Sequence, residues 1–144
     1  MDLIDGTFTI LIADDDPDDR FLAQTVFDQL GLSENLKFAQ DGKELLSYLN
    51  QSVTEKDNHH FRLPHFILLD LNMPEKDGWE TLEEIKSTPD LNSIPVVIWT
   101  TSSEDRDRLR SAEMGADRFV TKPGDYSNLL HSIRSLIEMY CGKR

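Results

Sequence analysis

A chain of 144 residues is long enough for one domain with a closed core, and 38% hydrophobic with 29% charged residues is the balance of an ordinary soluble globular protein. Its formal net charge of −12 speaks against nucleic acid or an anionic membrane surface as a partner, since both are gripped by basic faces. The single cysteine, Cys141, excludes an intrachain disulfide, Met1 to Gly6 has no basic stretch of the kind that opens a signal peptide, and no apolar run is long enough to span a bilayer, so a cytoplasmic protein is expected.

The first apolar run, Phe8 to Ala13, predicts a buried strand, and Asp14-Asp15-Asp16 follows it directly. Pro17, favoured at the first helical position, opens a helix that stops near Gly31, with Leu22, Val26 and Leu30 as its core stripe. A weaker strand at Leu36 to Ala39 leads to a second helix from about Gly42 to Asn50, with Leu45, Leu46 and Leu49 inward. Gln51 to Pro64 is polar and without period. It reads as an insertion lengthening the connection into the third strand, and its His59-His60 pair reads as solvated loop histidines rather than metal ligands.

The third strand, Phe66 to Leu69, ends in Asp70; a helix after Gly78 carries Leu82 and Ile85 and stops before Pro89. A fourth strand, Ile94 to Trp99, ends in Thr100-Thr101, and a helix from about Asp105 to Met114 closes at Gly115. Phe119-Val120 forms a fifth strand ending in Lys122-Pro123. The last helix runs from Tyr126 to Tyr140, with Leu129, Ile133, Leu136 and Tyr140 in one stripe, joined by Leu130 and Ile137. Strand and helix alternating in this way is the pattern of a doubly wound α/β sandwich with a parallel sheet, here a single domain over 1–144 with its core at about 9–140.

In an open parallel sheet the strands' carboxyl ends share one edge, where ligands bind. Asp14, Asp15, Asp70, Thr100 and Lys122 all follow strands and therefore converge there. Asp16, Asp18 and Asp19 are explained as acids at a helix amino terminus; Asp14 and Asp15, which precede the cap, are not. Two carboxylates about 4 Å apart repel by about 4 kcal/mol at an effective dielectric of ~20, so they ask for a cation. With Asp70 added, a hard divalent ion fits, and Mg²⁺, which takes one or two carboxylates plus a phosphate oxygen, fits best. Asp70 could be a turn residue, but a carboxylate at the end of a buried run is costly unless paired, and it can act as a nucleophile on phosphorus. Lys122 could be a surface lysine; a cis Lys122–Pro123 bond would aim its ammonium back into the site. Thr100 is either an ordinary β-branched strand residue or a hydroxyl that reaches an oxygen on Asp70.

In order, the motifs are Ile10-Leu11-Ile12-Ala13-Asp14-Asp15-Asp16-Pro17, Leu68-Leu69-Asp70-Leu71-Asn72-Met73-Pro74 with Asp77-Gly78, Pro95 to Thr101, Gly115-Ala116-Asp117, and Val120-Thr121-Lys122-Pro123. Through them the chain resembles a response-regulator receiver domain from about Thr9 to Tyr140. The resemblance implies the flavodoxin-like strand order 2-1-3-4-5 with helices on both faces. It also implies a phosphorylation switch in a two-component system rather than an enzyme with an external substrate.

Asp70 would accept a phosphoryl group from a sensor histidine kinase or phosphotransfer protein. Asp15, Asp70 and the Asn72 carbonyl would hold Mg²⁺, with Asp14 acting through water. Lys122 would pair with the phosphoryl group, and Thr100 and Phe119 would form the switch, Phe119 standing where the family often has tyrosine. The Gln51 to Pro64 segment resembles the single-domain regulators serving phytochrome-type and hybrid kinases, whose output is protein contact. A downstream protein target, and a homodimer through helix 4, strand 5 and helix 5, are the partners so implied. A haloacid-dehalogenase-like phosphatase also uses a strand-end Asp, but Asp18 stands where its motif needs a threonine or valine. A phosphorylation-independent scaffold of this fold would be expected to lose an acid or the lysine, and this chain keeps all of them.

Overall fold

The computed structural model describes residues 3, 7–73 and 75–142. Apart from Leu3, the Met1 to Gly6 segment read above for a signal peptide lies outside these residues, as does Pro74 of the third-strand motif. Five strands, β1 (Ile10–Ala13), β2 (Leu36–Ala39), β3 (Phe66–Leu69), β4 (Val96–Thr100) and β5 (Arg118–Thr121), form one sheet in the order β2-β1-β3-β4-β5. Every pairing is parallel, with Ala13 opposite both Ala39 and Leu69 and Thr100 opposite Thr121. β1, β3 and β4 are buried along their whole length, as the unbroken apolar runs require of central strands covered on both faces.

The helices are α1 (Pro17–Gln29), α2 (Gly42–Thr54), α3 (Gly78–Ser87), α4 (Asp105–Glu113) and α5 (Tyr126–Cys141). Alternation along the strands sends Ile10, Ile12, Phe66 and Trp99 to a core under α1 and α5. Leu11, Ala13, Leu69 and Ile98 go to a second core under α2 and α3. Four helices begin with an aspartate whose side chain accepts a backbone N–H of the first turn: Asp16, Asp41, Asp77 and Asp125. Each of these helices follows a strand, so part of the acidic surplus is spent on caps along the sheet edge that carries the site.

Two expectations about helices change. In α1 the buried stripe is Ala23, Val26 and Phe27, while Leu22 is 41% exposed and Leu30 is half-buried. Leu22 instead leans toward the site edge, where it lines a small cavity with Asp19, Trp99, Lys122 and Pro123. The insertion expected at 51–64 is shorter, because α2 runs on to Thr54. Ser52 and Val53 continue the inward face begun by Leu45 and Leu49, and the Ser52 hydroxyl satisfies itself on the Tyr48 carbonyl at 2.9 Å. A 3₁₀ turn at His59–Phe61 then closes the connection, and His59 Nδ1 meets Arg62 Nη2 at 2.6 Å. No helix among the described residues is long and apolar enough to cross a membrane.

Candidate functional site

The site is built by continuing each strand's hydrogen bonding one residue past its end. Asp14 N donates to Ala39 O at 3.0 Å, Asp70 N to Ala13 O at 3.0 Å, and Lys122 N to Thr100 O at 2.7 Å. These bonds hold the three residues side by side at the carboxyl edge. The Lys122–Pro123 bond is trans, since no peptide bond among the described residues is cis, and this corrects the expected cis turn. The ladder bond to Thr100 already places the lysine backbone, and trans is the cheaper form by about 0.5–1 kcal/mol.

From there the Lys122 ammonium donates to Asp14 Oδ2 at 2.8 Å, to Asp19 Oδ2 at 2.8 Å and to Asp70 Oδ2 at 3.2 Å. The side chains of Lys122, Asp14 and Asp70 are 9%, 2% and 9% exposed. Burial holds the carboxyls of Asp14 and Asp70 above the ordinary range, and Lys122 offsets this only in part. Burial alone would lower the lysine; its bonds to Asp14 and Asp19 and the charge of Asp70 outweigh that and raise it, so it stays an ammonium. One cation therefore serves three carboxylates, with the exposed Asp15 adding a fourth. Carboxylate oxygens of Asp14, Asp15 and Asp70 all lie within 4.8 Å of one another, an all-oxygen cluster that suits a hard divalent ion.

The remaining oxygens are held in place. Asp14 Oδ1 accepts Asp16 N at 2.9 Å, and Asp70 Oδ1 accepts Asn72 N at 3.2 Å, which puts Asn72 against the Asp70 carboxylate. Gly78 closes the loop that follows: its N–H donates to Leu71 O at 3.0 Å, and a Cβ there would stand 2.3 Å from Asp70 O. A glycine is thus required behind Asp70. Thr100 is fully buried, with Oγ1 accepting Ser102 N at 3.4 Å. Phe119 is half-buried under the Arg108 guanidinium, 4.7 Å from its ring centroid.

The structure thus gathers Asp14, Asp15, Asp70, Asn72, Thr100 and Lys122 at one edge, while Phe119 lies further back along β5, opposite Ile98. It also adds two residues that sequence reasoning missed. Asp19, one of the acids at the amino terminus of α1, sits third in that helix, where the first turn lies over the strand ends and its side chain turns onto Lys122. Arg20 Nη1 donates to Asp14 O at 2.9 Å and fixes the turn between strand and helix. The signal for both was the short connection from β1 to α1, only Asp14 to Asp16, which brings the first turn to the site.

Residues 10–134 match the response regulator receiver domain. The chain belongs to that family. It is 35% identical over 127 residues to the response regulator Rcp1 of Synechocystis, covering 88% of this chain and 84% of that protein. The Mn²⁺-bound structure of Rcp1 superposes with a TM-score of 0.78 at 33% identity, over 95% of this chain and 96% of that one. The phosphorylated cyanobacterial phytochrome response regulator RcpA gives 0.79 at 32% identity, over 92% and 93%. The response regulator RPA3017 of red light signaling in R. palustris gives 0.82 at 26% identity, over 92% and 93%. The receiver is therefore a two-component signalling domain with the flavodoxin-like fold, and its acidic cluster is one that could bind a divalent metal.

Proposed function

We propose that Asp70 is the phosphoacceptor of this receiver and that Mg²⁺ is its working ion. The observation that carries the reading is the buried Asp70 carboxylate, 3.2 Å from the Lys122 ammonium and within the cluster formed with Asp14 and Asp15. An Asp70 oxygen attacks the phosphorus of a phosphohistidine; the new P–O bond forms as the P–N bond breaks, and the leaving imidazole nitrogen takes up a proton. Lys122 receives charge on the equatorial oxygens, as positioned cations do in phosphoryl transfer. Asp14, Asp15, Asp70 and the Asn72 carbonyl would hold the ion, which supplies neutralisation of the phosphoryl oxygens. That Rcp1 has a Mn²⁺-bound form supports a divalent ion here, and the phosphorylated form of RcpA supports phosphorylation as the event.

The donor is a sensor histidine kinase or phosphotransfer protein, of the phytochrome type that the name of RcpA indicates or of the hybrid class, and the setting is the cytoplasm. Thr100 turns toward the phosphoryl group, Phe119 follows it inward, and the face of α4, β5 and α5 reads out the change to a downstream protein and to a second copy of the chain. Moving such a surface from 1:99 to 99:1 takes about 5.5 kcal/mol. A charge-assisted bond from Thr100 contributes about 1.5–3 kcal/mol, so partner binding completes the shift. The receiver also assists its own Mg²⁺-dependent transfer and hydrolysis, without turning over an external substrate.

The test is incubation with phosphoramidate, with and without Mg²⁺, followed by intact-mass measurement. Wild type should gain one acid-stable, hydroxylamine-labile phosphoryl group only with Mg²⁺, and Asp70→Asn should gain none. Labelling of the asparagine variant, or sustained turnover of the donor without accumulation of protein phosphate in any variant, would overturn the reading.

A further inference from the structure

Asp19 lies outside the acidic cluster that could hold a metal, yet it has one of the two shortest contacts to the lysine. The Lys122 ammonium is 2.8 Å from Asp19 Oδ2, equal to its distance from Asp14 Oδ2 and shorter than the 3.2 Å to Asp70 Oδ2. An ammonium has three N–H donors, and these three carboxylates use all of them. A phosphoryl group on Asp70 therefore finds no free donor on Lys122 until one of the three lets go.

Burial decides which. The side chains of Asp14 and Asp70 are 2% and 9% exposed, whereas that of Asp19 is 32% exposed. Water replaces the lysine most readily at Asp19, so Asp19 is the partner that releases at least cost. Asp14 is held further by Asp16 N on its second oxygen, and Asp70 by Asn72 N. We infer that Asp19 is a positioning residue that occupies one of the Lys122 donors and shares the ammonium with Asp14 and Asp70 in the unphosphorylated receiver, so that phosphoryl transfer must draw the lysine off it. This rests on Asp70 being the phosphoacceptor. Removing the Asp19 charge then weakens the hold on one N–H, since an asparagine oxygen accepts without the charge, and takes an anion from the path of an anionic donor.

The neighbouring acid supplies the control. Asp18 occupies the same helical turn, and its backbone N–H caps on Asp16 Oδ1 at 2.9 Å while its side chain is not among the ammonium's partners. Asp18→Asn thus removes the same charge without touching the lysine. The full chain as wild type, Asp19→Asn, Asp19→Glu, Asp18→Asn and Asp70→Asn is labelled with phosphoramidate in Mg²⁺. Beryllofluoride is then titrated against Trp99 fluorescence, since Trp99 lines the same small cavity as Asp19 and Lys122. An ion pair that water reaches on one side, as it does here at Asp19, converts to about a threefold effect. Asp19→Asn should therefore label about threefold faster and reach half-saturation at about one-third the beryllofluoride concentration. Asp19→Glu, which restores the carboxylate, should fall back toward wild type, and Asp18→Asn should match wild type.

If Asp19→Asn and Asp18→Asn give equal rates and equal half-saturation while Asp70→Asn stays unlabelled, the positioning role is overturned and Asp70 as phosphoacceptor stands. If Asp70→Asn labels like wild type, both fall together. Should Asp19→Asn unfold, Asp19→Ala against Asp18→Ala decides in its place: labelling about threefold faster for Asp19→Ala supports the role, and equal rates overturn it.

Discussion

At the residue scale the site is a strained balance of charge. Asp14 and Asp70 have native pKa values raised above 3.8 because burial disfavours their anions. A group raised in this direction contributes stability only below its unfolded value, and that contribution is lost as pH rises through the native value. At neutral pH both acids therefore cost the metal-free fold stability. Lys122 has the opposite effect: raised above 10.5 by its acids, it stabilises the fold throughout the neutral range and ceases to only above that value. Asp70→Asn should stabilise the metal-free receiver and raise its unfolding midpoint. The gain should shrink as pH falls and Asp70 protonates, and Mg²⁺ should raise the wild-type midpoint more than that of the variant. Thermal unfolding in chelator and in Mg²⁺ checks this; a lower midpoint for Asp70→Asn in chelator would contradict it. Lys122→Met removes the cation from three carboxylates and should cost about 3 kcal/mol, part of it recovered with Mg²⁺.

At the element scale α4 differs from its neighbours. Ser111 is its one buried residue, and its amino-terminal Glu104 makes no side-chain cap. Ser102 takes over that work, accepting Glu104 N at 3.2 Å and donating to Asp107 Oδ2 at 2.7 Å, while Thr121 Oγ1 donates to Ser102 O at 2.8 Å. Arg108 on Phe119 and Arg110 on Trp79, with guanidinium carbons 4.7 and 4.1 Å from the ring centroids, complete its attachment. Ser102→Ala should lose about 1 kcal/mol of capping. Native-state hydrogen exchange should show α4 opening first, with amides of α5 unchanged; uniform loss of protection across the fold would contradict a local latch.

The strands were legible in the sequence because buried parallel strands are continuous apolar runs closed by chemistry-bearing residues; their order came only through the family resemblance, since apolar runs do not say which strands are neighbours. What was hidden has physical causes. Leu22 looked like core because spacing alone cannot say which of two leucine faces meets the sheet. Ser52, small enough to bury once its hydroxyl bonds the preceding turn, disguised the last turn of α2 as loop. Of the site, Asp14, Asp15, Asp70, Thr100 and Lys122 were legible from strand ends. Asp19 was not, since capping and ion pairing draw on the same residue type in the same turn.

At the scale of the whole molecule, two copies meeting each bring a net charge of −12, so most faces repel one another. The α4 face is the exception. Between Asp105 and Glu113 three acids are matched by Arg106, Arg108 and Arg110, and Leu109 stands among them 64% exposed. On β5 the exposed Arg118 adds a positive charge beside it. This is the surface where a second copy meets least repulsion and finds apolar area to bury. A dimer formed there should tighten, not loosen, as salt rises from about 0.01 to 0.15 M, because screening weakens the net repulsion over a Debye length that shortens from about 30 to 8 Å. In Mg²⁺ and beryllofluoride, sedimentation velocity should show wild type shifting from monomer toward dimer, more so at the higher salt. Leu109→Asp, which puts a carboxylate at the centre of the patch, should remain monomeric while still quenching or enhancing Trp99 fluorescence as wild type does. A dimer that survives that substitution, or one that dissociates with added salt, would place the contact on another face.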